Sequence, residues 1–396
     1  MQIGFDAKRI FFNATGLGNY GRTLLEGMAG RYPGEGYLLF TPRMSTLVPQ
    51  PAWPGTTTII PASFAGRALP ALWRSGMLAR EAMKRKVDLY HGLSSELPFG
   101  IHRTKLPTVV TVHDLIFERY PAHYNPLDVR IYRFKTRYAC RHAGHIIAVS
   151  EQTKSDLMRF YDIRPEKISV IYQGSDPVFG LPVPRKEKEA IRTLYGLPED
   201  FFLYVGAVVE RKNLLVAAQA LIDSPDLPPL AVVGAGRQYK ARIKHLLSAH
   251  HMEHRIFWLS ERGTVTRPVL AALYRMACAL LYPSLFEGYG IPIQEAFLSG
   301  TPVITSHGSC LTETGGDAAL YIDPKDAKAL AEAMEAVWGS PVLAEALRRK
   351  GFAQAARHSA RQSAAETMQL YRRLCGLAVF PEKKKPAQGR FLWNTM

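Results

Sequence analysis

Glu287 and Glu295 stand with seven residues between them, on either side of a glycine loop. Gly288 and Gly290 would let the backbone approach a ligand closely, because glycine has no Cβ. Pro292 follows, and proline suits the first turn of a helix, where its missing N–H is no loss. The segment therefore predicts two carboxylates around a loop that leads into a helix.

The helix predicted over 292–299 would direct free N–H groups and a partial positive charge toward the loop, an arrangement that favours phosphate. The two carboxylates would not bind that phosphate, so hydroxyl groups are their natural partners. A phosphate between two polyols describes a nucleotide sugar. In the alternative interpretation, Glu295 only complements the helix dipole, as acidic residues near helix starts commonly do.

A basic pair, Arg211 and Lys212, follows the strand predicted at 201–206. The carboxyl ends of parallel strands form the usual ligand edge of an open α/β sheet. Cations at that edge could balance a pyrophosphate and stabilise the charge on a departing nucleoside diphosphate, a role that substitutes for a metal. The alternative is a solvated pair at a helix start. No DxD motif or clustered Asp and His predicts a metal site.

These residues need a scaffold, and strand-like apolar runs that alternate with helical patterns predict an α/β fold with parallel sheets. In the first half the predicted strands are 1–6, 36–41, 56–60, 87–91, 108–112, 145–149 and 168–172. In the second half they are 201–206, 230–234, 255–259, 279–282, 302–305 and 319–322. Two similar series indicate two similar domains.

The chain length of 396 residues suits two domains, which we place at 1–175 and 190–357 with a Gly- and Pro-rich hinge at 176–189. Four scattered cysteines without CxxC spacing predict neither a zinc site nor a disulfide framework, as in a reducing compartment. No window approaches the roughly 18 apolar residues of a membrane span, and no leader is evident. We expect a cytoplasmic protein, or one attached peripherally to the cytoplasmic face of a membrane.

The formal charge is +16, from 50 basic and 34 acidic side chains, and favours an anionic partner. A helix predicted over 127–141 is rich in arginine, and a second basic cluster spans 67–86. The apolar stripe of the first helix consists of Leu127, Ile131, Phe134 and Tyr138. We expect this stripe to face the core; docking of both basic segments on an anionic membrane surface is the alternative. The basic tail, 381–396, predicts an arm or surface anchor, and no signature indicates nucleic acid.

Five segments, in order, carry a resemblance to a known enzyme family. They are TGLGNYGRTLLEGM (15–28), TVHDLIF (111–117), IIAVSEQTKSDL (146–157), LYVGAVVERKNL (203–214) and YPSLFEGYGIPIQEAFLSGTPV (282–303). Together they resemble the family-4 retaining glycosyltransferases of GT-B fold over nearly the whole chain. The resemblance implies two Rossmann-like domains whose sheets face each other across a cleft, with the acceptor bound by the first and the nucleotide sugar by the second. It also implies that the final helix, about 360–378, packs back on the first domain.

The resemblance assigns the donor to the segment that contains the two glutamates. Glu287 and the amides of Gly288, Tyr289 and Gly290 would hold the donor sugar. Glu295 would accept hydrogen bonds from the ribose.

The resemblance also implies roles for residues that follow two other strands. Arg211 and Lys212 would stabilise the leaving group; many members carry an arginine directly after the strand-end glycine, where this chain has Ala207, so Arg211 or another residue must take that role. His113 would lie beside the donor sugar. It would bind a hydroxyl through a neutral imidazole or face the anomeric carbon with its backbone carbonyl, while Asp114 orients it or caps the next segment.

The segment TGLGNYG contains GxGxxG, with Gly16, Gly18 and Gly21. A dinucleotide fingerprint lies directly on the strand-to-helix turn, whereas KRIFFNAT separates these glycines from the predicted strand. We expect a glycine loop before a helix that begins near Asn19, and the resemblance implies that Gly16 and Gly18 close over the donor. Ser150 would cap the helix from residue 151 or line the cleft.

The implied function is a retaining, metal-independent hexosyltransferase that acts on a glycan or lipid-linked acceptor in cell-surface polysaccharide synthesis. Likeness to bacterial polysaccharide mannosyltransferases makes mannose from GDP-mannose the first expectation. A UDP-hexose-dependent transferase of the same fold and a nucleotide-sugar epimerase are the alternatives. No cofactor is expected beyond the GDP- or UDP-linked co-substrate.

Overall fold

A computed structural model describes residues 1–45 and 52–378 of the chain, and its strands form two sheets. The first sheet contains β1 (Gln2–Asp6), β2 (Gly36–Phe40), β3 (Thr56–Ile59), β4 (Leu89–Gly92), β5 (Thr108–Val112), β6 (His145–Ala148) and β7 (Ile168–Val170). The second contains β8 (Phe202–Val205), β9 (Leu230–Val233), β10 (Ile256–Trp258), β11 (Leu280–Tyr282), β12 (Val303–Ser306) and β13 (Ala319–Ile322). Each strand predicted from the sequence is present.

Helices connect the strands. Those among the strands of the first sheet are α1 (Lys8–Phe12), α2 (Gly16–Arg31), α3 (Phe64–Ala68), α4 (Pro70–Leu72), α5 (Leu78–Lys84), α6 (Ile116–Arg119), α7 (Pro126–His142) and α8 (Glu151–Tyr161). The later ones are α9 (Arg185–Tyr195), α10 (Leu214–Asp223), α11 (Gln238–Ala249), α12 (Leu259–Arg262), α13 (Arg267–Met276), α14 (Ile291–Ser299), α15 (Leu311–Gly315), α16 (Ala327–Gly339), α17 (Pro341–Arg357) and α18 (Ala360–Leu374). Single 3₁₀ turns include Pro177–Gly180 and Glu210–Lys212.

Both sheets are parallel and have the doubly wound order. The first runs β3-β2-β1-β4-β5-β6-β7 and the second β10-β9-β8-β11-β12-β13. The strand order therefore reverses between β1 and β4 and between β8 and β11, and ligands of such sheets bind beyond the carboxyl ends of the strands at these reversals. The predicted fold class, two Rossmann-like α/β domains, is confirmed.

The two strands at the reversal of the second sheet, β8 and β11, are covered on both faces, which is why they are apolar throughout. In β8, Phe202, Leu203 and Tyr204 are fully buried and Val205 is 8% exposed. The ends of the strands are thereby fixed, and the loops that follow them start from rigid positions.

The final helix, α18, packs on α2 of the first domain. Ala364, Met368 and Tyr371 are buried in the core of that domain, and the Tyr371 hydroxyl forms a hydrogen bond with the His91 ring. The chain therefore passes between the domains twice. The two passages touch, because a Cβ on Gly174 would lie 2.1 Å from the backbone nitrogen of Ala360.

The first passage contains more structure than the hinge predicted at 176–189. The Asp176 side chain accepts a hydrogen bond from Val178 N at 2.9 Å and opens a 3₁₀ turn, and α9 already begins at Arg185. Ile191 and Tyr195, one helical turn apart, bury one face of α9. Proline and charge at the start of this segment conceal that helical spacing in the sequence.

The expectation that the apolar stripe of the 127–141 helix faces the core is wrong for three of its four residues; the fourth, Tyr138, is half-buried and packs against the core of the first domain. Leu127, Ile131 and Phe134 of α7 are exposed by 64%, 41% and 63%. The buried face of α7 consists of Val129, Thr136, Ala139 and Cys140. This second, smaller stripe also has helical spacing, and its small residues let the helix lie close to the sheet.

Along the described part of the chain, no helix combines the length and apolar character needed to traverse a bilayer. The basic tail, 381–396, lies outside the described residues.

Candidate active site

The loop between β11 and α14, residues 283–290 and called the β11 loop below, carries the first glutamate. Gly290 has φ +98° at the N-cap of α14, and Gly300 has φ +71° at its C-cap, both left-handed conformations that favour glycine. A Cβ on Gly288 would lie 2.0 Å from the carbonyl oxygen of His113. Glycine at 288 therefore lets the β11 loop touch the end of β5 in the first domain.

Glu287 is paired with both predicted basic residues. Its Oε1 lies 2.6 Å from Nζ of Lys212 and 2.9 Å from Nη1 of Arg211. Arg211 also donates to the carbonyl of Phe286 at 2.6 Å, and Lys212 donates to the hydroxyl of Tyr282. The sequence predicted these three candidate site residues separately, and the structure joins them in one cluster.

The charges of this cluster are buried. Burial would raise the pKa of Glu287, but the positive charges of Lys212 and Arg211 outweigh it and hold that pKa below its ordinary value. Burial lowers the pKa of Lys212, an effect that Glu287 opposes. With two cations around one carboxylate, the cluster keeps an excess positive charge that suits a diphosphate.

The basic pair is held by the turn that follows β8. Asn213, with φ +56°, ends the 3₁₀ turn, and its side-chain amide donates to the carbonyls of Pro283 at 3.1 Å and Pro324 at 2.6 Å. The backbone N–H of Leu285 donates to the carbonyl of Arg211 at 2.8 Å. The turn after β8 is thus fastened to the loop after β11 at the reversal of strand order, and Arg211 stands beside Lys212.

His113 occupies the predicted place, but its ring is not available to a sugar. Nε2 donates to the carbonyl of Leu93 at 2.9 Å, and Nδ1 accepts from the amide of Gln173 at 2.9 Å. Burial lowers the pKa of His113 to about 4, so the ring is neutral. The expectation of an imidazole bound to a hydroxyl is therefore wrong, and the backbone carbonyl facing Gly288 is what the residue offers.

Asp114 and Ser150 act at helix starts. Asp114 Oδ1 accepts from the N–H of Ile116 at 3.1 Å and so caps the next segment. Ser150 Oγ accepts from the N–H of Thr153 at 3.0 Å and donates to the carbonyl of Gly288 at 2.7 Å. Ser150 is therefore both a helix cap and a contact across the cleft.

The second glutamate lies away from the basic pair. Glu295, on α14, accepts a hydrogen bond from the Tyr274 hydroxyl at 2.9 Å, and burial raises its pKa to about 7. A small cavity brings Glu295 together with Gly16 and Arg267. Arg267 donates to the side chain of Asn19 at 2.6 Å, so it links α13 to α2 across the cleft. No spacing pattern in the sequence singled out Arg267.

The predicted glycine loop of the first domain is in fact the first turn of a helix. α2 begins at Gly16 rather than near Asn19. A Cβ on Gly18 would lie 1.8 Å from the carbonyl oxygen of Asn13, so Gly18 is needed for packing inside the domain. Gly16 has open space around its Cα and faces the cavity with Glu295.

Tyr289 anchors the β11 loop. Its ring is buried, and its hydroxyl forms a hydrogen bond of 2.9 Å with Nδ1 of His358, between α17 and α18. The loop that carries Glu287 is thereby attached to the second passage between the domains.

A cavity of about 680 Å³ opens beside Arg211, with walls from both domains. Its lining consists of Ala122, His123, Tyr124, Val208, Val209, Glu210, Arg211, Arg237, Gln238 and Tyr239. Aromatic rings and two guanidinium groups suit a planar, anionic ligand, and the volume is typical of a small-molecule site. Within residues 1–45 and 52–378, no group of three His, Cys, Asp or Glu side chains is arranged to hold a metal.

Two sequence families together match most of the chain. Residues 15–179 match the family described as Glycosyltransferase Family 4, and residues 186–357 match Glycosyl transferases group 1. The chain is 27% identical to O-antigen chain mannosyltransferase B of Escherichia coli, over 94% of this chain and 100% of that protein. It is 30% identical to O-antigen chain mannosyltransferase RfbU of Salmonella typhimurium, over 57% of this chain and 59% of that protein.

Solved structures share the architecture. Sucrose-phosphate synthase from Thermosynechococcus elongatus superposes with a TM-score of 0.75 at 23% identity, over 95% of this chain and 100% of that one. Anabaena Alr3699/HepE in complex with UDP gives a TM-score of 0.71 at 18% identity, over 93% and 100%. At these identities the likeness concerns the fold.

Proposed function

The chain belongs to the glycosyltransferases of family 4 and group 1, and we propose that it transfers mannose from GDP-mannose to a hydroxyl group of a glycan or lipid-linked acceptor. In this proposal the reaction retains the anomeric configuration, needs no metal and serves cell-surface polysaccharide synthesis. The observation that carries it is the buried cluster of Glu287, Arg211 and Lys212. The cluster lies where the strand order of the second sheet reverses.

The cluster supplies what departure of a nucleoside diphosphate requires. The bond between the anomeric carbon and the diphosphate oxygen breaks, and both electrons stay on the oxygen. Arg211 and Lys212 stabilise that charge in a site from which water is largely excluded, where charge stabilisation is strongest. Glu287 keeps the two cations in place and accepts hydrogen bonds from hydroxyl groups of the donor sugar.

Transfer with retention places the acceptor on the face that the diphosphate leaves. The acceptor oxygen forms the new bond to the anomeric carbon, and its proton passes to the departing phosphate oxygen. The carbonyl of His113, next to Gly288, stabilises the positive charge that develops at the anomeric carbon. No side chain then has to serve as general base.

In this proposal the nucleotide occupies the cavity beside Arg211. Glu295 and Gly16 line the separate small cavity, and their contacts with the ribose and the donor are assigned by the family resemblance. Amides of Gly288, Tyr289 and Gly290 bind the sugar. The acceptor binds on the first domain, across the cleft.

The choice of mannose rests on the relatives named mannosyltransferases, at 27% and 30% identity, and GDP is the carrier that the family resemblance implies for mannose. A UDP-hexose is the second candidate, since Alr3699/HepE, a structural neighbour, was solved with UDP. An epimerase is not favoured, because the matching families and relatives are transferases.

We further propose that the first domain attaches to an anionic membrane surface through α7. Leu127, Ile131 and Phe134 are exposed beside an arginine-rich groove of about 440 Å³. The groove is lined by Arg130, Arg133, Phe134, Arg137, Tyr138, Arg141 and His142. Apolar side chains flanked by arginines are typical of helices that lie in a lipid interface. In the second basic segment, 67–86, Leu69 and Leu72 are exposed by 55% and 58%.

A thermal-shift panel of GDP, UDP, ADP and their sugars tests the donor. A ligand at 100 times its dissociation constant adds about 2.7 kcal/mol of stability, which is readily measured. We expect the largest shift with GDP-mannose. A larger shift with UDP or a UDP-hexose would favour a UDP-hexose over GDP-mannose as the donor. No response to any nucleotide would refute the proposal that the protein uses a nucleotide sugar.

A further inference from the structure

α15 is bound to the β11 loop near each of its ends. Cys310, the residue before α15, donates through Sγ to the carbonyl of Glu287 at 3.2 Å. The hydroxyl of Thr314 donates to the carbonyl of Tyr289. A displacement of α15 would therefore move the backbone on both sides of Gly288.

Glu313 lies between these two bonds on α15 and reaches into the other domain. Its Oε2 accepts from the N–H of Glu151 at 2.7 Å, and its Oε1 accepts from the N–H of Gln152 at 2.9 Å. The Tyr172 hydroxyl adds a longer contact of 3.4 Å to Oε2. These N–H groups open α8, where a helix has free donors and a partial positive charge that a carboxylate satisfies.

The same helix start holds the β11 loop directly, since Ser150 donates to the carbonyl of Gly288 at 2.7 Å. Gly288 in turn lies against the carbonyl of His113. The bonds of Glu313 and Ser150 join the two domains, so separation of the domains would break them. The start of α8 is thus, like the bond between Arg267 and Asn19, a contact on which closure of the cleft depends.

We propose that Glu313 is a positioning residue that couples closure of the two domains to placement of the β11 loop. When the domains close, the Glu313 carboxylate docks on the first N–H groups of α8. Through Cys310 and Thr314, α15 then holds Glu287 and Gly288 against the end of β5. This inference rests on the proposed function for its consequence in catalysis, but the docking itself is a property of the protein alone.

Two substitutions remove the contact from opposite sides. Glu313→Gln keeps the size of the side chain and removes the charge. Glu151→Pro removes one N–H donor, and proline is favoured at the first position of a helix; Ser150, with φ −158° and ψ 162°, has the extended conformation required before proline. Glu151→Ala is the matched control, because it removes the same carboxylate and keeps the N–H. Glu332→Gln controls for loss of an exposed glutamate, paired with Lys328 at 3.8 Å.

The measurements are small-angle X-ray scattering of the full-length unliganded protein and titration calorimetry with GDP and UDP. Hydrogen bonds to a charged group commonly shift an equilibrium by about 10- to 100-fold, and affinity falls with the competent fraction. We expect E313Q and E151P to enlarge the radius of gyration and weaken nucleotide binding about tenfold or more. We also expect the combined effect in E313Q/E151P to be smaller than the sum of the two single effects, because both substitutions weaken the same contact, and we expect E151A and E332Q to resemble wild type. Circular dichroism checks that α8 is retained.

Scattering of E313Q that superposes on that of wild type would overturn the proposal, as would equal behaviour of E151P and E151A. Fully additive effects in the double variant would also overturn it, since substitutions on the two sides of one contact should be coupled. If wild type bound neither nucleotide, the proposed function would fail, whereas the scattering comparison would still decide whether Glu313 closes the cleft.

Discussion

Nζ of Lys212 lies 2.6 Å from Oε1 of Glu287, and both side chains are buried at the meeting point of the turn after β8 and the loop after β11. A buried pair of this kind is costly to break, because removal of one partner leaves the other charge without compensation. Here the uncompensated charge would be double, since Arg211 shares the same carboxylate oxygen. In the proposed function, stability and catalysis therefore depend on the same contact.

Glu287→Gln should reduce both donor turnover and the free energy of unfolding. We expect donor turnover to fall by about 10²- to 10³-fold, the usual effect of removing one preorganised electrostatic contact. We expect the free energy of unfolding to fall by about 3–5 kcal/mol, because two cations stay buried without their anion. Turnover assays and urea unfolding measure the two effects. Glu332→Gln, at an exposed ion pair, should leave both unchanged, and a variant with wild-type turnover would refute the role of Glu287.

Glu295 should make stability depend on pH in the direction opposite to that of a typical carboxylate. Its pKa is raised from 4.5 to about 7 in the folded protein, so between these values the folded state binds more protons than the unfolded state. Protonated Glu295 therefore adds roughly 3 kcal/mol to the free energy of unfolding. This contribution is fully present below the unfolded pKa and is lost as pH rises through about 7.

Glu295→Gln removes this titration. The free energy of unfolding of the variant minus that of wild type should therefore rise by roughly 3 kcal/mol between about pH 4.5 and about pH 8.5, because only wild type loses stability over this range. Urea unfolding at several pH values measures this difference. Nucleotide affinity of wild type should increase over the same range if the ionised carboxylate binds the ribose. A difference between the two proteins that does not vary with pH would contradict the raised pKa.

His113 should stay neutral across the physiological range. Burial lowers its pKa to about 4, and Leu93 fixes the proton on Nε2. In nitrogen-15 spectra, the signals assigned to the His113 ring should therefore be those of the Nε2–H tautomer and should not shift between about pH 5.5 and about pH 8. Titration of the His113 ring near pH 6.5 would show that its contacts to Leu93 and Gln173 are not maintained.

Substitutions on α7 should reduce membrane binding without affecting the active site. Each arginine near an anionic surface contributes about 1 kcal/mol, so Arg130→Glu with Arg137→Glu should lower partitioning into anionic vesicles more than tenfold. Ile131→Glu should also lower it through the loss of an apolar contact. Vesicle sedimentation measures partitioning, with Lys328→Glu on the second domain as control. Equal partitioning of all variants would refute attachment through α7.

The sequence was informative where a property depends on neighbouring residues. Alternating apolar runs predicted each strand, and the positions of Arg211 and Lys212 in the segment that follows β8 predicted their place at the edge of the sheet where ligands bind. It was uninformative where partners are distant in the chain. The ring of His113 is held by Leu93 and Gln173, and nothing near His113 indicates that its nitrogens are already bonded.

Two further features, the buried face of α7 and the partner of Glu313, could not be predicted from the sequence, for different reasons. α7 has two stripes at helical spacing, and periodicity alone does not tell which one faces the sheet. Glu313 meets Glu151 across 162 positions of the chain, so the contact exists only once both domains are assembled. An acidic residue on a short helix carries no local sign of such a partner.

The contact of Gly174 with Ala360 restricts how the domains can move. Because both passages of the chain run side by side there, we expect relative motion of the domains to be a rotation with this contact as the pivot. Displacement then grows with distance from the pivot, so a rotation of a few degrees that hardly disturbs Gly174 would separate atoms at the far rim of the cleft by several times as much. A larger side chain at residue 174 would push the two interdomain segments apart and thereby change the angle between the two domains in the unliganded enzyme.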